Sequence, residues 1–219
     1  MSLFVTFEGP DGAGKSTQIQ LVARRLEANG LSVVKTREPG GTPLGERVRA
    51  VLLDPGDCAI VPRAEALLMT AARAQHVADV IMPALSDGRV VLCDRFSDST
   101  LAYQGAGRGL PTENLNMLQA FATDGLQPDL TILLDISAEN GLERRRSSGT
   151  PMNRLDQDSL AFHERVREWY VQEAKAHPER WVLLEAGRAQ DDLADEICQV
   201  ILDRSGQAAA RADANRKSE

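Results

Sequence analysis

Five short runs rich in apolar residues stand out along the chain: Leu3–Phe7, Leu31–Thr36, Val90–Cys93, Leu130–Leu134 and Trp181–Leu184. A strand with one wet face would alternate apolar and polar residues. Continuous apolar runs instead predict strands buried on both faces. Between these runs the apolar residues recur at steps of three and four, as Ile19, Val22, Ala23 and Leu26 do. That period predicts helices over Lys15–Ala28, Pro43–Leu53, Pro62–Leu85, Thr112–Thr123, Ala138–Ser147, Gln157–Ala176 and Asp192–Leu202. Strands alternating with helices predict an α/β fold, a five-stranded parallel sheet flanked by helices on both faces. No internal repeat is evident and no linker divides the pattern, so residues 1–204 read as one domain. From Ser205 the chain is rich in Ala, Ser and charge without an apolar period, and 205–219 reads as a flexible tail.

Ligands of an open parallel sheet sit beyond the carboxyl ends of its strands. The residues just past each predicted strand therefore matter most. The first strand runs into Gly9-Pro10-Asp11-Gly12-Ala13-Gly14-Lys15-Ser16. This is the G-x-x-x-x-G-K-[ST] phosphate loop, and it lies between a strand and a helix, the context that gives the motif meaning. The glycines let backbone N–H groups converge on a phosphate chain at the positive end of a helix. Lys15 would reach the outer phosphates and the Ser16 hydroxyl would ligate Mg²⁺. The third strand ends in Asp94, placed as a Walker B carboxylate that holds Mg²⁺ directly or through water, and next to it stands Arg95, a candidate phosphate ligand. A basic cluster, Arg144-Arg145-Arg146 with Arg154 beyond it, suggests a lid that closes over a phosphoryl group. Consecutive helical residues point in different directions, so these arginines cannot all reach one phosphate. The stretch Gly105-Ala106-Gly107-Arg108-Gly109 reads as a flexible loop and not as a second nucleotide site, since no strand immediately precedes it.

Composition narrows the picture. The net charge of −7 argues against a general nucleic-acid or anionic-membrane binder and requires any phosphate site to be a local basic cluster. Cys58, Cys93 and Cys198 form no C-x-x-C pair and fit reduced thiols in a cytoplasmic protein. His76, His163 and His177 show no metal-ligand spacing, and no run is long enough to span a membrane. The residues alone leave open a nucleotide kinase, a kinase of a deoxynucleoside, or a P-loop switch without turnover. Against a guanine-reading switch stands the lack of an N-K-x-D segment.

Further motifs carry a resemblance. Phe7-Glu8-Gly9 with the phosphate loop, Thr36-Arg37-Glu38-Pro39-Gly40-Gly41-Thr42, Ala71-Ala72-Arg73 and Asp94-Arg95-Phe96 stand in order. Beyond them stand Ser99-Thr100, Ala102-Tyr103-Gln104-Gly105 and Arg154-Leu155-Asp156-Gln157-Asp158-Ser159. Over nearly its whole length except the tail, the chain resembles the thymidylate kinase family, bacterial type. The resemblance implies a P-loop NTPase fold, transfer of the ATP γ-phosphoryl group to dTMP on the way to dTTP, Mg²⁺ as cofactor, and a homodimer formed through long helices such as Pro62–Leu85. It implies ATP binding by Gly9 to Ser16 and Thr17, with Lys15, Asp11, Arg95 and the lid arginines Arg144 and Arg146 in catalysis. Asp11 would contact the sugar, Arg73 and Arg95 the acceptor phosphate, Thr100 and Gln104 the thymine edge. Tyr103 would lie against the deoxyribose. The lid would span 142–156. Two departures stand out: Met69 occupies the position where the family usually stacks an aromatic ring on thymine, and the lid carries Ser148 with longer spacing to Arg154.

Overall fold

The computed structural model describes residues 2–56, 59–149 and 151–216, with side chains to residue 206. Its centre is a five-stranded parallel sheet: β1 (Leu3–Glu8), β2 (Val33–Arg37), β3 (Val90–Asp94), β4 (Leu130–Asp135) and β5 (Trp181–Glu185), in the order β2-β3-β1-β4-β5. All five predicted strands are present, with small shifts at their ends. β1 is central and lies between β3 and β4.

Both faces of the sheet are covered, as the unbroken apolar runs require. One face packs Leu3, Val5, Phe7, Leu92, Ile132 and Leu134 against α1 (Lys15–Ala28) and α9 (Gln190–Arg216). The α1 contribution is Ile19, Val22, Ala23 and Leu26, the residues whose spacing predicts that helix. On the opposite face, Phe4, Val91 and Cys93 meet a long helical stretch made of α3 (Pro62–His76), a π-helical segment π1 (Val77–Ile81) and α4 (Met82–Ser86). Leu133 meets α8 (Leu160–Ala176) there, through Phe162, Val166 and Tyr170. The helices α2 (Pro43–Leu53), α6 (Thr112–Thr123) and α7 (Ala138–Ser147) complete the shell.

Three expectations change. The first part of the segment read as a flexible glycine loop, Gly105 to Gly107, is helical: α5 (Ser97–Thr100) continues into a second π-helical segment, π2 (Leu101–Gly107). Glycine is needed at position 107 for space, because a Cβ there would collide with the Phe162 ring. The helix predicted from Gln157 begins at Leu160, because Ser159 caps it by accepting a bond from the Phe162 N–H. Finally, α9 does not stop near Leu202 but continues to Arg216, through the segment read as a tail. Alanine has the highest helix propensity, so an Ala-rich stretch can extend a helix without any apolar period. Cys93 and Cys198 are buried free thiols, while Cys58 lies outside the described residues.

Candidate active site

The phosphate loop leaves the carboxyl end of β1 and delivers the chain into α1. Gly12 and Gly14 hold positive φ values of 78° and 88°. At Gly12 space matters as well, since a Cβ would collide with the Gly141 carbonyl oxygen, and one on Gly141 would collide with that of Asp11. The α7 helix, which carries the arginine cluster, is thus seated directly on the phosphate loop. Ser16 and Thr17 are exposed in the first turn of α1. Lys15 curls into the loop and donates to the carbonyls of Gly9 and Pro10, each at 2.9 Å. Burial, with Arg95 nearby, lowers the Lys15 ammonium to about 8. A bound polyphosphate would oppose that shift by favouring the charged form. Ser16 donates to an Asp94 carboxylate oxygen at 2.5 Å, so the hydroxyl and the β3 carboxylate meet as expected.

A second cavity opens beside this loop. Asp11, Met69, Arg73, Arg95, Thr100, Tyr103 and Gln104 all line it, so every residue the sequence assigned to the acceptor lies around one space. Its wall nearest the phosphates is Asp11, from within the loop itself. The Asp11 carboxylate accepts from Arg95 at 2.8 Å through one oxygen and from the Tyr103 hydroxyl at 2.6 Å through the other. Burial would raise the Asp11 carboxyl, but the charges of Arg95 and Lys15 outweigh it and hold the group well below its usual range. Arg95 takes a left-handed backbone conformation, φ 70°, uncommon for a side chain with a Cβ. Its own N–H bonds Phe7 O at 3.0 Å and the next N–H bonds Glu8 at 2.8 Å, which hold that conformation. The guanidinium lies over the Tyr103 ring at 4.9 Å.

Arg73 is committed elsewhere. It donates to Glu38 at 2.6 Å, Thr100 at 3.0 Å, Phe96 O at 3.0 Å and the Gln119 side chain. Glu38 in turn holds His76 at 2.8 Å. This pins Arg73 next to Thr100, at the end of the cavity assigned to the base. Met69 is half-buried and lines the cavity four residues before Arg73, on the same helix face.

The three lid arginines have three destinations. Arg144 donates to Ala186 O at 3.0 Å, in the turn after β5. Arg145 braces the lid internally, on Pro151 O at 2.8 Å and Asp156 at 2.9 Å. Arg146 is exposed.

Sequence reasoning missed Arg49 and Glu8. Arg49, on α2, lines the cavity and donates to Pro39 O at 2.9 Å; burial and nearby Arg37 lower its pKa. A cation disfavoured by its surroundings and facing a cavity is suited to an anionic ligand. Glu8, within the quoted Phe7-Glu8-Gly9 motif, is completely buried beneath Arg95. It accepts from the Ser99 and Tyr170 hydroxyls at 2.6 and 2.8 Å. A carboxylate at the end of an otherwise apolar strand was the available signal for it.

A parallel sheet with the phosphate loop at its central strand, a serine–carboxylate pair at the loop's exit and a second cationic cavity alongside define a P-loop NTPase. The model for the family described as thymidylate kinase matches residues 7–197. A thymidylate kinase of Thermomicrobium roseum is 56% identical over 197 residues, covering 90% of this chain and 93% of its own. One from Deinococcus radiodurans is 51% identical over 202 residues, covering 92% and 97%. The crystal structure of thymidylate kinase from Ehrlichia chaffeensis superposes with a TM-score of 0.75 at 33% identity, covering 91% of this chain and 98% of that one. The chain belongs to the thymidylate kinase family.

Proposed function

We infer that this chain transfers the γ-phosphoryl group of ATP to dTMP, giving ADP and dTDP for dTTP synthesis. Family membership supports the reaction. The observation that carries the site assignment is Asp11: one carboxylate belongs to the phosphate loop and also walls the second cavity, beside Arg95 and Tyr103. Donor and acceptor phosphates would therefore meet across a single residue. The acceptor is already an anion, so alignment and charge neutralisation suffice without a strong base.

In this reading the loop from Gly9 to Thr17 binds the ATP phosphates, with Lys15 swinging from its two carbonyls onto them. Ser16 and Asp94 hold Mg²⁺. Their oxygens are hard donors, which suits an ion that keeps waters and phosphate oxygens as its other ligands. When bound, Mg²⁺ supplies positive charge to the phosphates. Arg95 and Arg49 take the acceptor phosphate. Arg73, tied to Thr100, belongs with the base end instead of the phosphate role the resemblance implies. Thr100 and Gln104 read the thymine edge, Met69 covers the base, and Asp11 and Tyr103 bound the sugar. Arg146, exposed on the lid over 142–156 and not held by the turn after β5 as Arg144 is, is assigned to the transferring phosphoryl group. Arg144 steadies the lid against the turn after β5.

We also propose a homodimer. Helices α3 and α6 pack together and leave Leu67, Met117 and Phe121 exposed, the last at 89%. Isolated apolar residues are ordinary on a surface, but a cluster on adjacent helices suits a partner copy. No described helix is long and apolar enough to cross a membrane, and two buried free thiols fit the proposed cytoplasmic location.

Release of ADP from MgATP, measured with dTMP, dUMP, dCMP and thymidine as acceptors, tests the reading. The fastest turnover is expected with dTMP and none with thymidine, which brings no phosphate. Equal turnover without any acceptor would mean an ATPase, and no ADP release with any acceptor would mean a switch without turnover.

A further inference from the structure

Glu65 lies outside every motif that carries the site, yet it is fully buried and collects three elements. Its carboxylate accepts from Gln104 Nε2 on π2 at 2.8 Å and from Arg154 Nη2, at the far end of the lid, at 2.5 Å. Arg108, just past π2, adds contacts at 3.3 and 3.4 Å while gripping Asp158 at 2.6 and 2.7 Å. Burial would raise the Glu65 carboxyl, but the bonds from Gln104 and Arg154 and the charge of Arg108 prevail and lower it. At neutral pH the group is a carboxylate, able only to accept.

An acceptor-only partner settles a choice that a glutamine otherwise leaves open. The two ends of the Gln104 amide are nearly the same in shape and opposite in hydrogen-bonding sense. With its NH₂ end turned to Glu65, its carbonyl oxygen is left for the cavity that Gln104 lines. A thymine or uracil edge offers an N3–H donor to such an oxygen. Cytosine offers an N3 lone pair in its place, and the two acceptors would repel. We propose that Glu65 is a specificity-determining positioning residue: it fixes the Gln104 amide so that the site accepts thymine and rejects cytosine, while its other oxygen anchors the lid through Arg154. The inference rests on the proposed dTMP site and deepens it.

The experiment compares kcat/KM for dTMP and dCMP in the wild type, Glu65→Gln, Glu65→Asp and Arg154→Gln, with thermal midpoints alongside. In Glu65→Gln the new amide can donate as well as accept, and Gln104 is free to turn its NH₂ to the base. The dTMP:dCMP ratio is expected to fall by about tenfold or more, the scale of discrimination lost when a polar edge is no longer matched. Glu65→Asp keeps an acceptor-only partner and is expected to retain most of the ratio. Arg154→Gln leaves Glu65 and Gln104 in place and is expected to slow both acceptors equally. A folded Glu65→Gln protein with the wild-type ratio would overturn the proposal. Should Glu65→Gln not fold, Glu65→Asp and Arg154→Gln still decide: a changed ratio in Arg154→Gln, or a collapsed one in folded Glu65→Asp, overturns it. A wild type that does not phosphorylate dTMP would instead defeat the dTMP reading itself.

Discussion

The two ends of the active site are built in opposite ways. At the proposed phosphate end, the backbone groups and charges are contiguous in sequence, from Gly9 to Thr17, with Asp94 close by. Its charges rest on temporary partners, as Lys15 rests on two loop carbonyls. At the proposed base end, side chains from positions as distant as 38, 65, 73, 100 and 104 are locked to one another in buried networks. The first region can lose a charge without losing structure. The second cannot, because each member compensates another for burial.

The largest expected effect is therefore at the base end. Glu38→Ala would strand the buried Arg73 guanidinium and unpair His76 from its carboxylate. Breaking a buried ion pair by removing one partner costs about 3–5 kcal/mol, so thermal unfolding should show a drop of roughly 10 °C or more. A midpoint within a degree or two of wild type would erase the contrast between the two ends. Next comes Arg95→Ala, at the boundary between them. Loss of its charge-assisted contact should weaken dTMP binding by about 1.5–3 kcal/mol in a calorimetric titration, with less effect on an ATP analogue. Equal losses for both ligands would move Arg95 out of the acceptor site.

Glu8 sharpens the comparison through pH. Burial first, then the nearby Asp98 charge, raises its carboxyl from the ordinary 4.5 to about 7. The folded state holds this proton more tightly than the unfolded chain does. Its stabilising contribution is thus full below about 4.5 and is lost as pH rises through about 7. Within that window the slope approaches about 1.4 kcal/mol per pH unit. Denaturant unfolding across that window should show a steeper fall for wild type than for Glu8→Gln, and parallel curves would remove Glu8 from the buried network. Smallest is Met69→Phe. A flat ring should improve dTMP binding by about 0.5–1.5 kcal/mol without changing the preferred base. Reduced stability with unchanged affinity would make Met69 packing only.

The contrast also explains what the sequence disclosed. The strands were legible because unbroken apolar runs have few other readings, and the phosphate loop because its chemistry is contiguous. The residues around the second cavity were legible only through resemblance, since nothing local in Thr100 or Gln104 marks them as facing a cavity. The π2 segment escaped because Gly105 and Gly107 imitate a loop, when Gly107 is there to admit Phe162. The run of α9 past Ser205 escaped because alanine supplies helix propensity without a period. Glu38 and Glu65 escaped for a different reason: a lone carboxylate, in a loop or among the alanines and leucines of a helix, reads as solvent-facing, and only the tertiary placement of Arg73, Gln104 and Arg154 supplies its partners.

The division into two ends is tested most directly by titrating dTMP calorimetrically into Lys15→Ala while following its turnover with MgATP. Removal of Lys15 should depress phosphotransfer by about a hundredfold or more, the scale of losing one preorganised charge at the transition state, yet leave the dTMP Kd within about threefold. Loss of dTMP binding together with turnover would contradict the account, because Lys15 would then serve the acceptor end as well.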